Sequence, residues 1–75
     1  MKYTSDNGYT GTMHKGNFLG MKHWDFSIFD KNGKFVFHST LSEPYTEEEF
    51  KEEVDKFPET LEWLSNLSRK ADEND

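Results

Sequence analysis

Hydrophobic and polar positions alternate along the chain with two periods, and the change from one to the other divides it. From Gly8 to His14, GYTGTMH sets Tyr9, Gly11 and Met13 against Thr10, Thr12 and His14, the period of two expected of a half-buried strand. Gly11 has no side chain to pack, which marks a bulge or the close approach of a larger group. KGNFLG, residues 15–20, is turn-rich: either a tight turn at Gly16-Asn17 leads straight into a long strand, or the whole piece is a loop. From His23 to Phe29, Trp24, Phe26 and Ile28 alternate with His23, Asp25 and Ser27, and KFVFHSTL over 34–41 reads as a further strand. The intervening DKNG has the composition of a hairpin turn, so a three-stranded antiparallel meander is predicted.

The turn type decides which rings share a face. A two-residue primed turn at Asn32-Gly33 sets Ile28 opposite Phe37. Trp24, Phe26, Ile28, Phe35 and Phe37 then lie together, with Phe29 and Val36 behind. A type I turn starting at Asp30, with Gly33 left-handed as a bulge, sets Ile28 opposite Val36 and gathers Phe29, Phe35 and Phe37 on the opposite face. Asp at the first position and Gly at the fourth favour the bulged turn. Its consequence is a sheet with apolar groups on both faces.

After residue 45 the period becomes helical. Thr46-Glu-Glu-Glu49 is a capping box with acids in the first turn, where the helix dipole favours them. Phe50, Val54 and Phe57 fall at i, i+4 and i+7. Pro58 cannot donate to residue 54, so the helix ends or kinks there, and the same residue suits the start of a second helix carrying Leu61, Leu64 and Leu67 with Trp63 alongside. Residues 1–7 and 69–75 are polar and expected to fray. The predicted class is α+β in the order β-β-β-α-α: a three-stranded antiparallel β-meander packed on one face by a C-terminal helix or helix pair. Its expected core is Tyr9, Met13, Trp24, Phe26, Ile28, Val36, Phe50, Val54, Phe57, Leu61 and Leu64.

Composition sharpens this picture. Seventy-five residues form one small domain, close to the lower limit for a single core, and the lack of cysteine excludes disulfides and thiolate metal sites as supplements. Seven Phe, two Trp and three Tyr stand against one Ile, two Val and five Leu, so the core is aromatic. No apolar run reaches the roughly 20 residues of a membrane span, and MKYTSDNGYT lacks the apolar stretch of a signal peptide. A cytoplasmic location is the expectation, with no membrane partner. Residues 1–42 carry five Lys against three Asp, a balance of +2, whereas 43–75 carry twelve acids against four bases, a balance of −8. That acidity opposes nucleic acid as a partner.

The candidate chemistry is sparse. His14, His23, Asp25 and His38 are imidazole and carboxylate groups suited to Zn²⁺ or Fe²⁺, although His38 joins the others only in a register that the bulged turn does not give. Three surface histidines on strands account for the same residues. Ser27, Asp25 and His38 invite a hydrolase reading, but nothing in the pattern supplies a cleft or oxyanion donors. Glu47 to Glu49, Glu52, Glu53 and Asp55 read as a solvated helix face. Neither GYTG nor KGNFLG is a glycine-rich loop leading into a helix, so phosphate motifs are lacking. No catalytic, cofactor-binding or metal-binding residue is therefore expected, and the chain is read as non-enzymatic and cofactor-free.

Two surfaces point to partners. An acidic helix presenting Glu48, Glu52 and Asp55 could occupy a basic groove on another protein. Phe29, Phe35 and Phe37 on a second apolar sheet face call for a cover, supplied by a second copy or a larger partner, with Trp63 and Tyr45 at its border. The leading expectation is thus a small protein-interaction module, homodimeric or inhibiting a larger protein. The alternative is a single-strand nucleic-acid binder, with bases stacked on sheet aromatics beside Lys15, Lys22, Lys31 and Lys34. GYTG…FSIFDKNGKFVFHS followed by an acidic helix resembles small uncharacterised proteins of Gram-positive bacteria and their phages over about residues 8–57. The resemblance implies an intracellular, mobile-element setting, in which small acidic inhibitors are frequent. It carries over no catalytic or ligand-binding residue.

Overall fold

A computed structural model describes residues 1–73. It is α+β, with a four-stranded antiparallel sheet in the order β1-β2-β3-β4 and two helices. The strands are β1 (Lys2–Thr4), β2 (Thr10–Phe18), β3 (Met21–Phe29) and β4 (Phe35–Leu41), and the helices are α1 (Glu47–Asp55) and α2 (Phe57–Glu73). The predicted meander is present as β2, β3 and β4, but the sheet has a fourth strand.

That strand is β1, which lies within the polar stretch 1–7 where fraying is expected from the sequence. Lys2, Tyr3 and Thr4 pair with Thr12, Gly11 and Thr10, and Met1 and Met13 exchange two further backbone bonds of 3.0 and 2.9 Å. Its polar sequence carries no alternation to reveal it. The strand is held by backbone pairing and by Tyr3, whose hydroxyl donates to Asp55 at 2.7 Å. Asn7 ties the following loop to α1, its side-chain amide donating to the carbonyls of Val54 (3.0 Å) and Asp55 (2.9 Å). At the other end of the chain α2 runs to Glu73, so the tail expected to fray from residue 69 is helical that far, while residues 74 and 75 lie outside the described residues.

KGNFLG proves neither loop nor turn at Gly16-Asn17. β2 continues through it to Phe18, and the reversal is made by Leu19 (φ 52°) and Gly20 (φ 79°). Positive φ at both central residues is the pattern of a primed turn, and Leu is a costly choice for it. At the second hairpin, Asp30 N–H donates to the Lys34 carbonyl (2.8 Å) and Gly33 N–H to the Asp30 carbonyl (2.9 Å). The Asp30 carboxylate accepts from Asn32 and Lys34, both at 2.9 Å. With Gly33 at φ 80°, this is the expected bulged turn.

The expected pairing of Ile28 with Val36 is nevertheless wrong. Phe29 pairs with Phe35, but Ile28 pairs with Phe37, so a second irregularity follows the first within two residues. One inserted residue flips every side chain beyond it to the other face. Two therefore restore the faces that the plain primed turn would give beyond Val36, while Phe35 stays on the opposite side with Phe29.

One face of the sheet meets the helices. Met13, Phe26, Ile28, Phe50, Val54 and Phe57 are buried, with Tyr3, Tyr9, Trp24, Val36, Phe37, Leu41 and Tyr45 packed around them. Edge-to-face contacts connect the rings: Phe26 meets Tyr45 at 5.4 Å and Phe50 at 5.8 Å, and Tyr9 meets Phe57 at 5.0 Å. The capping box starts α1 as expected, Thr46 accepting from Glu49 N–H (3.2 Å) and Glu49 from Thr46 N–H (3.0 Å). Such a cap stabilises by about 1 kcal/mol. α1 ends at a cap on Lys56, and α2 restarts with Pro58 as its second residue.

Leu61 and Leu64, both expected in the core, are outside it: Leu61 is exposed and Leu64 half-buried. Phe57 is the last residue of the stripe to reach the sheet; beyond it α2 projects. The radius of gyration of 14.0 Å exceeds the roughly 11 Å of a compact chain of this length.

Candidate functional site

Three surfaces follow from this architecture, and the open face of the sheet is the first. The alternation that buries Met13, Phe26 and Ile28 turns Thr10, Thr12 and His14 of β2, His23, Asp25, Ser27 and Phe29 of β3, and Phe35, His38 and Thr40 of β4 the other way. Most of this face is polar, so the sheet is not apolar on both sides. Phe29 and Phe35 form an edge-to-face pair at 5.9 Å, with Phe35 55 % exposed. Phe37 does not join them: it lies on the covered face against Phe57, 5.7 Å between centroids. Beside the pair, Lys2, Thr4, Thr10, Thr12 and Lys31 help line a concavity of ≈ 420 Å³.

The restored register also brings His38 to Asp25, which the bulged turn alone would have prevented. His38 Nε2 stands 3.2 Å from Asp25 Oδ1 and His23 Nε2 stands 3.3 Å from Oδ2, so one carboxylate sits between two imidazoles. Hydrogen bonding from His38, with the His23 ring adding to it, holds the Asp25 carboxyl below the usual carboxylate range. Gly16 makes room for this group: a Cβ there would lie 2.6 Å from His23 Nε2 and 3.1 Å from Asp25 Oδ2. His14, the Cα partner of Asp25 on β2, is exposed beside it.

Chemically this cluster is inward-looking. Both Nε2 atoms face the carboxylate. Ser27 is the Cα partner of His38, yet no hydrogen bond joins their side chains among the described residues. The described residues include no group of three or more His, Asp or Glu that could hold a metal ion.

The acidic helix face is the second surface. Glu48, Glu52 and Asp55 do come together, around a hollow of ≈ 590 Å³ that Lys51, Lys56 and Glu59 also line. Two lysines among four acids temper its charge. Lys51 pairs with Glu47 at 3.2 Å and Lys56 with Glu53 at 3.1 Å. Asp55 has an internal task, accepting from Ser5 Oγ at 2.5 Å and Tyr3 Oη at 2.7 Å. These two bonds, Ser5 first, lower its pKa, and the Asp55 bond in turn raises that of Tyr3.

The chain matches no protein-family model, no curated protein and no solved structure. Its geometry alone ranks the surfaces.

The third surface is α2, of which sequence reasoning placed Leu61 and Leu64 in the core. At helical spacing Leu61, Trp63, Leu64 and Leu67 share one broad side. Leu61 is 37 %, Trp63 60 % and Leu67 46 % exposed, and Leu64 is half-buried. A stripe meant for a sheet and a stripe meant for another chain have the same period. Only the reach of the sheet tells them apart.

Proposed function

We propose that the protein is a small non-enzymatic interaction module that binds protein through the apolar side of α2. The observation that carries this reading is the exposure of Trp63, Leu61 and Leu67 on a helix that continues beyond its own core. Apolar groups gathered in this way on a small chain are costly to leave in water and mark association sites. Trp63 is the natural anchor, since a large ring with one polar N–H buries much area at small entropic cost. Glu48 and Glu52, on the neighbouring acidic surface, would steer a basic partner rather than hold it. A cytoplasmic setting, and the bacterial or phage origin that the sequence resemblance implies, belong to the same proposal.

A photo-crosslinking residue in place of Trp63 tests this reading in cells. A protein adduct is expected, and it should fade when Leu67 is changed to Glu. Adducts to nucleic acid alone, or none, would remove it.

The Phe29–Phe35 pair favours a second reading, single-strand nucleic-acid binding on the open face, with Lys2 and Lys31 near the rings. Labelled oligonucleotides at low salt should then be retained and released by Phe35→Ala. No retention ends this alternative.

A further inference from the structure

Cross-strand pairing lays the open face out in rows, because residues paired across an antiparallel sheet share a face. One row runs Thr4, Thr10, Phe29, Phe35, and the next begins Lys2, Thr12, Ser27. Aromatic carbon in the first row thus lies beside ammonium and hydroxyl groups in the second. Two turns close this end of the sheet. Gly8 N–H donates to the Ser5 carbonyl at 3.0 Å in one, and Gly33 N–H to the Asp30 carbonyl at 2.9 Å in the other. They sit against each other, since a Cβ on Gly8 would lie 3.5 Å from Lys31 Cβ. Hydrogen-bonded backbone therefore walls the concavity of ≈ 420 Å³ beside the ring pair. Its size falls within the roughly 300–1,000 Å³ of small-ligand sites.

The polar groups of this hollow suit an anion. Lys2 and Lys31 both line it, and neither forms an ion pair among the described residues. Asp30 lines it too, but its carboxylate already accepts from the Asn32 and Lys34 N–H groups, both at 2.9 Å. Thr4 Oγ1 and Thr10 Oγ1 stand 3.0 Å apart; whichever donates, the other keeps an O–H for a further acceptor. A chain with a net charge of −6 thus has two uncommitted cations lining one hollow.

We infer that this hollow binds a flat ring carrying a phosphate monoester, the chemistry of a nucleoside monophosphate. The ring stacks on Phe29, and the monoester lies between Lys2 and Lys31, beside the Thr10 and Thr12 hydroxyls. A monoester brings a charge of about −1.5 to −2 and three acceptor oxygens, which matches two ammonium groups and two hydroxyls better than a carboxylate does. The ring can come from a free mononucleotide or from one unit of a single strand. The site is separate from the α2 surface, so neither reading depends on the other.

Adenosine 5′-monophosphate, titrated into isotope-labelled protein, probes the free source. Saturable amide shifts are expected at Gly8, Thr10, Thr12 and Lys31. Adenosine alone and inorganic phosphate alone should each bind at least about tenfold more weakly, since each lacks part of the contacts. Lys2→Glu and Lys31→Glu should each weaken the mononucleotide by at least about tenfold, the loss of one charge-assisted bond. Lys22→Glu makes the same change of charge about 23 Å from Phe29 along β3, and should weaken it by less than about twofold. Phe29→Leu keeps apolar bulk without a stacking face and should weaken it by about fivefold or more. The spectra themselves report whether each variant is folded.

No saturable shift below about 10 mM overturns the inference. So does phosphate that binds as tightly as the mononucleotide, or a Lys22→Glu chain as weak as Lys31→Glu. Labelled single strands then distinguish the sources. Retention of a strand without mononucleotide binding overturns the one-unit site and leaves the strand reading standing. Mononucleotide binding without strand retention upholds the site and ends that reading. Neither outcome bears on the adduct expected from position 63.

Discussion

Gly11 and Gly16 stand five residues apart on β2, on opposite faces of the same sheet, and a Cβ would collide with its surroundings at either one. At Gly11 it would meet Val54 Cγ2 at 2.4 Å and Phe50 Cζ at 3.4 Å; at Gly16, His23 Nε2 at 2.6 Å. The distances are alike and the consequences are not. The Val54 methyl belongs to a β-branched residue on a packed helix and has nowhere to go, whereas the imidazole is the far end of a half-buried side chain on the face that no helix covers. Close approach on the covered face reports a tightly packed core. The same approach on the open face reports a polar arrangement that can yield. The two faces thus differ less in how crowded they are than in what crowding costs.

The sharpest way to break this contrast is to delete a ring from each side. Phe50→Ala removes a fully buried ring and should cost about 3–5 kcal/mol, against a total stability of about 4–11 kcal/mol for a chain of this length. Phe35→Ala, on the open face, should cost less than about 1 kcal/mol in the same urea titration. Equal losses would mean that the open face is covered in solution. Next in size is the glycine pair. Gly11→Ala should destabilise by about 2–3 kcal/mol through overpacking, and Gly16→Ala by no more than about 1 kcal/mol as His23 swings aside. If Gly16→Ala proves the worse variant, the imidazole is fixed more firmly than its exposure implies.

The last test is a slope rather than a step. Asp25 and Asp55 are both held below the ordinary carboxylate range. The folded chain therefore binds these protons less readily than the unfolded one. Their stabilisation is present above the unfolded value near pH 4 and is lost as pH falls through the lower folded values. Asp55→Asn and Asp25→Asn should each flatten this acid limb of a stability–pH curve. A wild-type curve already flat from pH 4 to pH 2 would show that neither carboxylate is engaged in solution.

Much of the fold was legible because local signals agreed with one another. The alternation in GYTGTMH and HWDFSIF, the Asp30-to-Gly33 turn, the Thr46–Glu49 box and the break before Pro58 all appear where their chemistry calls for them. What escaped was set by non-local pairing. β1 has no pattern of its own, and its strand exists because β2 offers an edge and Asp55 offers Tyr3 an acceptor. The Ile28–Phe37 register was lost to a second insertion that no turn residue announces, and with it went the placement of Phe37 and the meeting of His38 with Asp25. The α2 surface was hidden by its regularity, since Leu61 and Leu64 continue the stripe of Phe50, Val54 and Phe57 without marking where the sheet stops.

The bonds from Asn7 to the last carbonyls of α1 lie close to the joint at Lys56, from which α2 departs. Starting at Phe57, the seventeen-residue helix is an arm of about 25 Å. A turn of about 10° at its mounting would carry the far end through about 4 Å over that length. The N-terminal loop therefore helps to set the aim of α2. Small changes at residues 5–9 should be read at the tip of α2, where they are magnified, rather than at the core.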